Sequence, residues 1–129
     1  MSVARFKTPS KPPSNRPEIY ALSIKLSCEV ESVVQRVASG ERFFLRDQLD
    51  RKSTTVPHLI QQGLRCDSLV ERRAVYASAR RVAQDCLAVL DALGQRNTVE
   101  PAVLTTAQAT AQALIDALGP LTVPPPLDP

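Results

Sequence analysis

His58 is the only histidine of this 129-residue chain. To act as a metal ligand or general base from a helix it would need an acid three or four residues away, and Thr54, Thr55, Gln61 and Gln62 hold those places. A metal centre inside a helical bundle needs inward glutamates and a Glu-x-x-His spacing, which is absent. The cysteines Cys28, Cys66 and Cys86 are odd in number and lack a CxxC pair, so they read as free, mostly buried thiols. Gly40, Gly63, Gly94 and Gly119 are isolated, which leaves no loop able to cradle a phosphate. No catalytic residue, metal ligand or cofactor follows from these patterns, and the expectation is a protein that is not an enzyme.

The remaining chemistry is charge. The net charge is +3, of which residues 1–17 supply four positive charges through Arg5, Lys7, Lys11 and Arg16. Residues 41–81 carry nine basic side chains against five acids. Arg72, Arg73, Arg80 and Arg81 project from one predicted helix and are the candidate contacts to RNA or DNA, strengthened if a symmetric assembly repeats them. No aromatic residues interleave with them, so stacking on single-stranded bases is unsupported.

Alanine, leucine and valine dominate, aromatic residues are 4% and glycines four, a balance that favours helices over sheet. One domain is expected, all-α, arranged as an antiparallel up-down-up-down four-helix bundle over 17–119. A flexible basic arm over 1–16 precedes it and a proline-rich, extended tail over 120–129 follows. No segment approaches the roughly 20 apolar residues that span a bilayer, and no signal peptide opens the chain, so a soluble cytoplasmic protein without a membrane partner is expected.

The first helix should run from Pro17 to Ser39 and stop at Gly40, with Ile19, Leu26, Val30, Val33 and Val37 on its core side. Tyr20, Ile24 and Cys28 form a second stripe away from that side, covered either by a loop or the arm, or by another subunit. Together with Phe43 and Phe44 they are the interface candidates. In the second helix, Leu45, Leu49, Ser53, Val56 and Ile60 mark a buried face interrupted by Pro57. Pro57 frees the carbonyl of Ser53, and the hydroxyls of Ser53, Thr54 and Thr55 are candidates to satisfy it. Gly63 suits a left-handed cap. Ser68-x-x-Glu71 opens a third helix whose seam is Leu69, Tyr76, Ala79, Ala83, Cys86, Leu90 and Leu93, with Arg72 the charged intruder. Thr98 can cap a fourth, carrying Leu104, Ala107, Ala111, Leu114 and Leu118 and ending at Gly119-Pro120.

The motif residues Gln48-Leu49-x-Arg51, Thr55-Val56-Pro57 and Ile60-Gln61-Gln62-Gly63, with the alanine-rich third helix ending in Leu93-Gly94, resemble the 23S rRNA-intervening-sequence family of four-helix bundle proteins. Leu59, Gln62 and Asp85 depart from it, standing where the family favours asparagine, glutamate and glutamate. The resemblance gives Gln48, Arg51, Thr55, Pro57 and Gly63 a structural role. It implies a homo-oligomer, a ring of five subunits in characterised branches, whose relatives beside diversity-generating retroelements bind a reverse transcriptase and nucleic acid. The expected function is therefore a non-catalytic scaffold or adaptor that assembles with itself, the alternative being a nucleic-acid-binding accessory protein.

Overall fold

The computed structural model describes residues 16–37, 43–96 and 99–123. Among these, four α-helices make up the protein: α1 (Arg16–Arg36), α2 (Phe43–Arg65), α3 (Leu69–Gln95) and α4 (Pro101–Leu118). A 3-10 turn, Gly119–Thr122, follows α4. None of the helices is long and apolar enough to cross a membrane.

Consecutive helices pack on one another, and α1 closes the ring against α4. The cross-helix pairs give the directions. Ser27 meets Ser53 while Tyr20 shares a groove with Gln61. Lys52 meets Asp85 while Gly63 meets Arg72. Asp91 bonds Gln108 while Arg80 bonds Ile115. In every pair one number falls as the other rises, so consecutive helices are antiparallel and the bundle is up-down-up-down.

The core follows the helical period. Leu26, Val30 and Val33 of α1, Leu49, Val56 and Ile60 of α2, Leu90 and Leu93 of α3, and Leu114 and Leu118 of α4 are fully buried. Ala79, Ala83, Ala107 and Ala111 are equally buried, and their small side chains let α3 and α4 approach closely. Ser68 caps α3 as expected, its Oγ accepting from the Glu71 N–H at 3.3 Å.

Several local details differ from the sequence reading. The Cβ of a residue at Gly63 would lie 2.5 Å from Cε1 of Tyr76, whose ring is only 2% exposed. Gly63 is thus a point of close approach inside α2, which continues to Arg65, and not its cap. Leu69 leaves the seam and is 62% exposed at the rim of a cleft that it shares with Pro120, Leu121 and Val123. Leu121 and Thr122 are in the 3-10 turn, closed by the Thr122 hydroxyl donating to the Gly119 carbonyl at 2.8 Å, so the tail is not extended from its start. α4 begins after Glu100, which makes no side-chain cap. The expected stops and caps at Gly40 and Thr98, most of the arm over 1–16, and tail residues 124–129 lie outside the described residues.

Candidate functional site

Pro57 sits in the middle of α2, and what surrounds it is the most distinctive place in the bundle. Its missing amide leaves the Ser53 carbonyl without an intrahelical donor in a segment where Ser53 itself is 1% exposed. The local hydroxyls do not fill the gap. Ser53 Oγ donates to the Asp50 carbonyl at 3.1 Å, and Thr54 and Thr55 each donate to the Arg51 carbonyl at 2.9 Å. The donor comes from α1: Ser27 Oγ reaches the Ser53 carbonyl at 2.8 Å. Hydroxyls within α2 favour their own preceding turn because that carbonyl lies directly below them, whereas Ser27 faces the kink from outside.

The same crossing opens outward into a groove of about 320 Å³ between α1 and α2. Tyr20 and Ile24 form one wall, Thr54, Pro57, His58 and Gln61 the other, with Ser27 also lining it. Tyr20 is half-buried against the core and Ile24 is 40% exposed. Cys28, one turn beyond Ile24, is exposed. Tyr20 and Ile24 of the second stripe thus meet the proline and the single histidine in one concave, partly apolar surface, which Cys28 does not line. Phe44 is 68% exposed but starts α2, about 20 Å along that helix from Pro57, so it belongs to a different surface. The side chain of Phe43 is outside the described residues.

The four arginines of α3 do not form one cluster. Arg72 donates from Nε to the Gly63 carbonyl at 3.2 Å and from Nη2 to the Cys66 carbonyl, closing the C-terminal turn of α2. Arg80 donates from Nε to the Ile115 carbonyl at 3.0 Å near the end of α4. Both place a cation at the C-terminal end of a helix, which is the favourable end of its dipole, and share the Gly63 and Ile115 carbonyls with the backbone amides of Cys66 and Gly119. Arg73 is half-buried and Arg81 exposed, and neither has a hydrogen-bond or ion-pair partner among the described residues.

The other motif residues are structural in placement. Arg51 pairs with Asp47 one turn away at 2.6 Å, and that carboxylate holds the guanidinium above its ordinary pKa. Gln48 is half-buried and Thr55 exposed. Lys52 and Asp85 bridge α2 and α3 at 3.3 Å beside Cys86. Burial pushes the Cys86 thiol up to about 12, with Asp85 adding to the rise and Lys52 opposing it, so the sulfur stays protonated and unreactive at neutral pH. Cys66 is half-buried, and with Cys28 exposed only Cys86 fits the expectation of buried thiols. No group of three or more histidine, cysteine, aspartate or glutamate side chains able to hold a metal occurs among the described residues. A smaller cleft of about 220 Å³ between α1 and α4 contains Glu29, whose Oε1 is buried without a hydrogen-bond partner among the described residues.

Family models, curated proteins and solved structures give no match to this chain.

The sequence reading missed Ser27. Its signal was present: a proline inside a buried helix requires an outside donor for the carbonyl four residues earlier, and a serine on a neighbouring helix can supply one. It also missed the exposed pair Leu69 and Val70 at the start of α3.

Proposed function

We propose that this protein is a non-catalytic helical scaffold that assembles with copies of itself through the α1–α2 groove. The observation that carries the reading is the groove: Tyr20, Ile24 and Pro57 remain accessible there although the core of the bundle is already closed. An apolar concavity rimmed by Thr54, His58 and Gln61 has the composition of a protein contact, an apolar centre with a polar edge. The resemblance of the α2 motif to the 23S rRNA-intervening-sequence family supports a ring of five subunits and an adaptor role. Replacing Ile24 by glutamate places a charge in the groove without touching the core. Light scattering coupled to gel filtration is expected to show the wild-type oligomer reduced to a folded 14.1-kDa monomer. An oligomer that survives Ile24→Glu unchanged would remove the groove from the interface.

Nucleic-acid binding is the second reading, favoured by the guanidinium groups of Arg73 and Arg81, which have no partner among the described residues, and by the basic arm. Arg72 and Arg80 serve the fold, so their removal would confuse lost binding with lost structure. The clean test is Arg73→Gln with Arg81→Gln: RNA or DNA affinity should fall and its salt dependence become shallower by about one slope unit per lost phosphate contact. Affinity indifferent to both changes and to salt would reject the reading.

A further inference from the structure

Glu29, Ser32 and Arg36 recur at steps of three and four, so they share one stripe of α1, and Val103 and Thr106 stand three apart on α4. Together they line the cleft of about 220 Å³ where α1 closes against α4. That is room for a molecule of roughly ten heavy atoms or fewer, below the ~300–1,000 Å³ of a pocket for a drug-sized ligand.

The polar groups of this cleft are incomplete at both ends. Glu29 is half-buried, and its Oε1 is wholly buried with no hydrogen-bond partner among the described residues. A carboxylate oxygen removed from water calls for a donor. The Thr106 hydroxyl donates to the Ala102 carbonyl at 3.0 Å, so it has no proton left for Glu29. Arg36 has its Nη1 drawn back to the Ser32 carbonyl at 2.9 Å, and among the described residues it forms no ion pair with Glu29, although both line the one cleft. Ser32 lies only ~4.5 Å beyond Glu29 along the helix axis. An acid and a guanidinium thus face the same space about one helical turn apart, the first without a donor and the second without an anion. Between them Val103, packed against the core, supplies an apolar wall.

We propose that the α1–α4 cleft binds a small aliphatic amino acid lengthwise, its ammonium donating to Glu29 Oε1, its carboxylate meeting Arg36 and its carbon chain lying against Val103. A short ω-amino acid has its two charged ends about one helical turn apart, as the gap requires. A bare amine leaves Arg36 unmatched, and a bare acid brings like charge to Glu29. The cleft is separate from the α1–α2 groove, so the proposal stands or falls independently of self-assembly.

The test is a titration of methyl-labelled full-length protein followed by solution NMR. γ-Aminobutyrate, added to about 10 mM, should move the Val103 methyl resonances to saturation. n-Butylamine should bind about threefold more weakly, the modest margin expected of an exposed guanidinium, and butyrate should leave Val103 unmoved. Glu29→Gln should weaken γ-aminobutyrate by about tenfold. Arg36→Gln should make γ-aminobutyrate and n-butylamine bind alike, with far-ultraviolet circular dichroism unchanged in both variants. In the wild-type protein alone, Val103 resonances that ignore γ-aminobutyrate, or that respond equally to butyrate or to n-butylamine, would overturn the proposal. So would a folded Glu29→Gln variant that binds as the wild type does.

Discussion

Ser27 makes a proline tolerable in the middle of a buried helix. Its hydroxyl replaces the amide that Pro57 lacks, at 2.8 Å from the Ser53 carbonyl. Ser27→Ala leaves that buried acceptor without its donor, and urea denaturation should register a loss of about 1–3 kcal/mol. In a Pro57→Ala background the restored amide can take the carbonyl back. The cost of Ser27→Ala should there shrink to a few tenths of a kcal/mol, and a double-mutant cycle measures the difference. Equal costs in both backgrounds would show that Ser27 acts otherwise. Cys86 offers a pH readout on the same scale. Its folded thiol is raised to about 12 from an ordinary 9.0, so the native state holds a proton that the unfolded chain releases first. That contribution is fully present below about pH 9 and disappears as pH rises towards 12. The fall in stability across this window should be shallower in Cys86→Val. At neutral pH, an alkylating reagent should modify Cys28 first and Cys86 only on unfolding.

At the scale of elements, the hydrophobic period was legible and the ends were not. Leu104, Ala107, Ala111, Leu114 and Leu118 of α4, which its three-four spacing marks, are all buried, and Thr110, Ile115 and Ala117 beside them are buried as well. Leu69 obeys the same spacing on α3 yet is exposed, since periodicity states which side a residue faces and not whether a neighbour extends that far. Gly63 looked like a helix stop because glycine has that role at many termini. What fixes it is the Tyr76 ring arriving from α3, a contact no local pattern announces. Gly63→Ala gains up to about 1 kcal/mol of helix propensity but must displace a buried ring, which costs typically 1–3 kcal/mol. Thermal unfolding should therefore show a lower midpoint. Arg80 and Arg81 are adjacent in sequence and opposite in use. Losing the Arg80 bond to the Ile115 carbonyl should destabilise the protein by about 1–2 kcal/mol in Arg80→Ala, while Arg81→Ala stays within about 0.5 kcal/mol of wild type.

For the whole molecule, class and helix order followed from composition, spacing and three short connections, and the ring of neighbours α1–α2–α3–α4 confirms an all-α four-helix bundle. The candidate surface was legible in half. Tyr20, Ile24 and Cys28 stood out as a stripe beyond the core side, but the meeting of Tyr20 and Ile24 with Pro57 and His58 depends on how two helices align, which needs coordinates. The arginines read as one patch in sequence and divide in space into two that bond helix ends and two without a partner among the described residues. Self-assembly through the α1–α2 groove is the central claim, and sedimentation velocity across the micromolar range tests it most directly. The account expects one species at a multiple of 14.1 kDa, near five, that collapses to a helical monomer in Ile24→Glu. A wild-type protein sedimenting at 14.1 kDa throughout that range would contradict it.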